Sequence, residues 1–215
     1  MKSYRYLFLD LDGTISDSAP GITRSAQHAL AHFGIHVKNT NELLRFVGPP
    51  LEESFKEFYH LTDEQTDEAV RVYRERYVVT GVYENSLYPG IIEFLDAARA
   101  AGKILMVATS KPQHMADVVL EYFGITDRFA FVGGRNDLLH RTKEEVIRYV
   151  MKSNGLTDTS DIVMIGDRKH DILGAKAVGL DSVGVLYGYG NREEFKSAGA
   201  TYIVKDFQEL TQLLL

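Results

Sequence analysis

Asp10 and Asp12 stand one residue apart, where the apolar run YLFLDL gives way to Gly13 and Thr14. Burying carboxylates at such a place is costly unless something pairs with them. Three other stretches supply polar groups that could do so. ILMVAT runs into Thr109-Ser110-Lys111, IVMIG runs into Asp167 with Asp171 four residues on, and Lys143 opens a helical pattern after FAFVG. In an open parallel sheet, ligands bind beyond the carboxyl ends of the strands, and all these groups fall at such ends. Three carboxylates brought together repel unless a cation sits among them. Hard oxygen donors in a chain with no cysteine suit Mg²⁺.

The elements that must position these residues follow from the hydrophobic pattern. Unbroken apolar runs rich in β-branched and aromatic residues occur at 6–11, 104–109, 129–133, 162–166, 183–187 and 201–204. Such runs indicate strands covered on both faces. Between them, helix-period segments at 90–101, 111–123, 142–154 and 168–178 stop at Gly102, Gly124, Gly155 and Gly179. Strand alternating with helix predicts an α/β fold, a Rossmann-like, doubly wound parallel sheet. Between Asp12 and Pro89 the rhythm breaks into helical patterns near 20–33, 50–60 and 64–80, punctuated by Gly34, GPP at 48–50 and ENS at 84–86. This predicts a core of residues 1–15 and 87–215 with an inserted α-helical cap over 16–86. Hinges are expected near 14–19 and 84–88.

The 215 residues are 45% hydrophobic and 25% charged, with a formal net charge of −6. That is an ordinary globular composition, large enough to fold without disulfides. No Lys/Arg run makes a patch for a nucleic acid polymer or a membrane surface. The N-terminal run is too short for a signal peptide, and no segment nears the roughly 18 apolar residues of a membrane span. The absence of cysteine fits a reducing compartment. A cytoplasmic location is expected.

With DLDGT at 10–14, ATS at 108–110, Lys143 and GDRKHD at 166–171 in order, the chain resembles the haloacid dehalogenase superfamily phosphatases with a helical cap. The similarity spans nearly the whole chain, including GYGNREEFKSAGATYIV, and is nearest to the phosphoglycolate phosphatase-like group. It implies that Asp10 is a nucleophile forming an aspartyl-phosphate and Asp12 a general acid and base. It implies Mg²⁺ held by Asp10, the main-chain carbonyl of Asp12 and Asp167, with Asp171 as a further ligand or orienter. Thr109, Ser110 and Lys143 would hold the phosphate, and the partner would be a small phosphorylated metabolite.

Blander readings compete at each position. Asp10 and Asp12 could cap a turn, Asp167 and Asp171 could cap a helix, and Lys143 could be a surface charge, with Arg141 or Lys111 taking its place. A calcium loop is excluded because Thr14 and Ile15 stand where an acid or Asn and a Gly are needed. His28, His32 and His36 lack further ligands for zinc. GVLYGYG at 184–190 opens no βαβ unit and reads as a flexible loop at the rim of the site.

In the cap, related β-phosphoglucomutases carry an arginine that grips a second phosphate, where this chain has FVGPPLEESF at 46–55. That weakens a mutase reading, since a bisphosphate needs a second anion clamp. Arg24, Arg45 and Tyr83 are the candidates for substrate contact. The cap resembles 5′-nucleotidases as well as phosphoglycolate phosphatases. The competing functions are a phosphoglucomutase-like transfer and a catalytically idle binding module.

Overall fold

The computed structural model describes residues 2–215. In chain order, β1 is Tyr6–Leu9 and β2 the two residues Ser16–Asp17. Helices α1 (Ala19–His32), α2 (Leu51–Tyr59) and α3 (Asp63–Val79) follow, then β3 (Ser86–Leu87) and α4 (Ile91–Ala100). Next come β4 (Ile104–Pro112), α5 (Gln113–Tyr122), β5 (Phe131–Arg135), α6 (Lys143–Ser153) and β6 (Ile162–Gly166). The chain ends with α7 (Lys169–Val178), β7 (Asp181–Val185), α8 (Arg192–Ala198), β8 (Tyr202–Val204) and α9 (Phe207–Leu214).

Six strands form one sheet in the order β5-β4-β1-β6-β7-β8, every pairing parallel. Strand β1 is central. The chain leaves it to build β4 and β5 on one side, then returns to build β6 to β8 on the other. That reversal beside β1 is the topological switch point, where such sheets open a crevice at their carboxyl edge.

Alternation along the strands sends Phe8, Met106, Ala108, Ile162 and Met164 to one face. There they pack with Val146, Ile147 and Val150 of α6 and Ala175 of α7. Leu7, Leu9, Leu105, Val107, Val163 and Ile165 are also buried and by alternation point the other way. Both faces are therefore covered, as the unbroken apolar runs require. Helix α6 starts sharply because Thr142 and Glu145 form a capping box.

Several boundaries differ from the sequence expectation, among them the end of β1 at Leu9 rather than 11 and β7 at Asp181–Val185 rather than 183–187. Strand β4 runs three residues past Thr109, because its register to β5 slips between Ala108 and Pro112 and pairing resumes at Arg135. The following helix accordingly starts at Gln113 rather than 111. Strand β5 begins at Phe131 rather than 129, because a 3₁₀ turn at Thr126–Arg128 runs directly into Phe129.

Backbone contacts divide the chain into two compact units, residues 1–16 with 87–215 and residues 17–86. The smaller unit has its own core, with Ala26, Ala29, Leu30, Leu43, Phe46, Phe55, Ala69, Val70 and Tyr73 buried. The Phe46 ring meets Phe55 and Phe58 edge-on, and Tyr73 stacks on Tyr77. Its α3 is started by a Thr62–Gln65 capping box. Among the described residues no helix is long and apolar enough to cross a membrane.

Candidate active site

Beyond β1 the chain turns tightly. The Leu11 carbonyl accepts hydrogen bonds from the amides of Thr14, Ile15 and Ser16. Gly13 sits in this turn at φ +84°, and a Cβ there would overlap the Asp167 carboxylate. Only glycine combines that backbone with that approach. Asp10 is fixed by its own amide, which donates to Ile165 O at 2.9 Å.

Lys143 stands at the centre of the charges. Its ammonium donates to Ala108 O at 2.9 Å and lies 2.9 Å from Asp10 Oδ1 and 2.8 Å from Asp171 Oδ1. It is 6% exposed, which rules out a surface-charge role. Burial opposes its charge, yet Asp10 and Asp171 outweigh burial and hold the amine above its ordinary range. Space for its stem comes from Gly174 on α7, where a side chain would press on Lys143 Cγ. Asp171 answers the other way as well, accepting Arg168 N–H at 3.0 Å with Oδ2 and so capping α7. The helix-cap role is thus real but uses only one oxygen.

The carboxylates are electrostatically strained. Burial pushes Asp10 up to about 6; Lys143 pulls it down, Asp171 pushes it up again, and hydrogen bonds from Lys143 and Thr109 lower it. Asp167 is raised well above its usual range by burial first, then by Asp171 and Asp10. Its Oδ2 accepts the Tyr189 amide at 2.9 Å, while its Oδ1 is buried with no hydrogen-bond partner. Burial is the larger cause of both shifts, and like charges at close range add to it.

Asp12 has a separate partner. Lys111, 7% exposed, donates to both Asp12 carboxylate oxygens at 3.0 Å. The amide of Lys111 donates to Thr109 Oγ1 at 3.2 Å. Residues 109 and 111 of β4 thus serve Asp10 and Asp12 respectively. Ser110 lies between them, partly exposed. On residue type alone Lys111 is a rival to Lys143. Its basic type next to two hydroxyl residues was a signal, but a bond spanning 99 positions leaves no local trace. Arg141 is bound instead to the Asp137 carbonyl.

The other named residues belong to the unit of residues 17–86. Arg24 pairs with Glu84 at 2.8 Å, Arg45 lies 4.4 Å over the Phe58 ring, and Tyr83 is exposed. His32 lies 3.3 Å from Glu68. Nor is GVLYGYG a loose rim: Tyr187 is half-buried and donates to Thr14 O at 3.1 Å.

The donor set suits a divalent cation. Asp10, Asp167 and Asp171 each bring a carboxylate oxygen within 4.8 Å of the others, all buried, the one such group among the described residues. A buried carboxylate oxygen without a donor, in a pocket where a Cβ on Gly13 would intrude, fits a bound hard cation with oxygen ligands. The set fits a metal ion.

The haloacid dehalogenase-like hydrolase family model matches residues 7–185. A 5′-nucleotidase from Pseudomonas aeruginosa is 42% identical over 98% of this chain and 96% of its own. A protein named tyrosine-protein kinase PtkA from Mycobacterium tuberculosis is 36% identical over 99% of this chain and 72% of its own. The crystal structure of a predicted phosphatase from Clostridium acetobutylicum superposes with a TM-score of 0.94 at 42% identity, covering 98% of each chain. With matched motifs, fold and site geometry in agreement, the chain belongs to the haloacid dehalogenase-like hydrolase family.

Proposed function

We propose that the protein is a phosphoric monoester hydrolase that works through an aspartyl-phosphate on Asp10, with Mg²⁺ as cofactor, on a small soluble phosphate ester. One observation carries this reading. Asp10 and Asp12 each meet a different buried lysine, Lys143 and Lys111, at the switch point of the sheet.

In the first step Asp10 attacks phosphorus, the bond to the leaving oxygen breaks, and Asp12 gives that oxygen a proton. In the second step Asp12 takes a proton from water, which attacks the aspartyl-phosphate and frees Asp10. Lys143 and Thr109 hold the transferring oxygens, and Ser110 borders them. The incoming dianion offers Lys111 a competing partner and lets Asp12 turn to the leaving group. Asp10, Asp167 and the Asp12 carbonyl would hold Mg²⁺, which would neutralise charge on the phosphoryl group and on the carboxylates. Asp171, with one oxygen on α7 and the other toward Lys143, acts more as an orienter than as a ligand. Residues 17–86 would form the cap that selects the leaving group, with Arg24, Arg45 and Tyr83 as its candidate contacts.

Among substrates, nucleoside 5′-monophosphates come first, because a relative 42% identical over 98% of this chain is named a 5′-nucleotidase; phosphoglycolate is the next candidate. The test is phosphate release from nucleoside monophosphates, phosphoglycolate, sugar phosphates and p-nitrophenyl phosphate, with Mg²⁺ or chelator. Mg²⁺-dependent release from one class far above the others is expected. No release from any, by folded protein, would overturn the reading. Label passing from ATP to a tyrosyl peptide instead, or turnover only with a bisphosphate activator, would replace hydrolysis with transfer.

A further inference from the structure

We infer that residues 187–190 are a positioning strap for Asp167, anchored by the Tyr187 hydroxyl; this rests on Asp167 being a metal ligand. The strap touches Asp167 along its length. The Tyr189 amide donates to Asp167 Oδ2 at 2.9 Å. A Cβ on Gly188 would overlap the Asp167 side chain and the Gly13 carbonyl, and one on Gly190 would overlap the Asp167 carbonyl and press on Phe195. The backbone thus runs where only glycine fits.

Tyr187 ties this backbone down. Its hydroxyl donates to Thr14 O at 3.1 Å, and its ring packs 4.5 Å from Phe207 and edge-on to Tyr88 at 5.1 Å. Burial first, then the Asp167 charge, hold the phenol well above its ordinary range, so it stays a neutral donor. Tyr187 is therefore the bond between the Asp10–Thr14 turn and the segment that orients Asp167. With Oδ2 claimed by the strap, Oδ1 is the oxygen left for a cation. Partners that orient a metal ligand without touching the metal typically contribute about 10- to 100-fold in affinity.

The test is calorimetric titration of Mg²⁺ alone into wild type and Tyr187→Phe, which keeps the ring and loses the hydroxyl. A folded variant is expected to bind Mg²⁺ about 10-fold more weakly. The Mg²⁺ concentration for half-maximal phosphate release should rise in step, more than kcat falls. Equal Mg²⁺ affinity in the folded variant would overturn the strap. Should the variant not fold, amide exchange on wild type decides. The Tyr189 amide should be protected without Mg²⁺ and more so with it, and exchange at the rate of an exposed amide would overturn the inference. Wild type that binds no Mg²⁺ at all would instead overturn the metal reading itself.

Discussion

The two ends of the central sheet carry similar residues and treat them oppositely. At the amino end, Asp181 takes Lys2 at 2.6 Å and the Tyr4 hydroxyl at 2.8 Å on Oδ2, and the Thr201 hydroxyl at 3.3 Å on Oδ1. The hydrogen bond from Lys2, opposed by burial and helped by Tyr4, holds its carboxyl below the ordinary range. At the carboxyl end, Asp10 and Asp167 are raised, and the Asp167 Oδ1 atom has no donor. A satisfied cluster of Asp, Lys and Tyr serves as structure. An unsatisfied one stores repulsion that a ligand can relieve, and the difference marks which end of the sheet does chemistry.

Several substitutions would break this contrast, and the largest effect is expected at Asp10. Asp10→Asn should take phosphate release to background while the protein stays folded; turnover near wild type would remove Asp10 as nucleophile. The same variant sharpens the comparison through stability. Asp10 is raised from 3.8 to about 6, so its contribution to folding is full below the lower value and lost as pH climbs through the higher. Without metal at pH 7.5, Asp10→Asn should therefore be more stable than wild type, by on the order of 2 kcal/mol. The gap should close as pH falls below 6, which thermal melting across pH would show.

Lys143→Met comes next. Losing a fixed donor for developing charge should lower kcat about 10²- to 10³-fold. Leaving Asp10 and Asp171 buried without their shared cation should destabilise the metal-free protein by about 3 kcal/mol or more. Steady-state rates and denaturant titration read the two effects separately.

Lys111→Met should cost less, since it leaves Asp12 in place but unheld. A fall in kcat of about 10-fold, partly restored by Lys111→Arg, would reflect a fraction of the acid–base contribution. At the other end of the sheet Tyr4→Phe should cost about 1 kcal/mol of stability for the lost hydrogen bond. It should leave phosphate release unchanged. A large catalytic effect from Tyr4→Phe would collapse the distinction between the ends.

Much of the carboxyl end was legible because strand ends punctuate a sequence. Asp10, Thr109 and Asp167 each follow an apolar run that can only be a covered strand, and Lys143 opens a helix-period segment after another such run. Parallel order and the placement of ligands at the switch point then bring them together. The hidden parts are those made by side chains or backbone crossing long separations. Lys111 reaches Asp12 only because a register slip extends β4 past Thr109. Tyr187 reaches Thr14 from the far end of the chain, so GVLYGYG reads as a flexible rim in sequence although its backbone packs against Asp167. Arg24, Arg45 and Tyr83 show the opposite limit. Their types suit anion contact, yet Arg24 is held by Glu84 and Arg45 by an aromatic face, partners that residue type does not announce.

The central claim is that Asp10 takes the phosphoryl group. The most direct measurement is acid quench of the enzyme during turnover with Mg²⁺ and its best substrate, followed by peptide mass spectrometry. A phosphoryl adduct on Asp10, absent with chelator and absent in Asp10→Asn, is the predicted result. Turnover with no adduct on Asp10, or with the adduct on another residue, would contradict it.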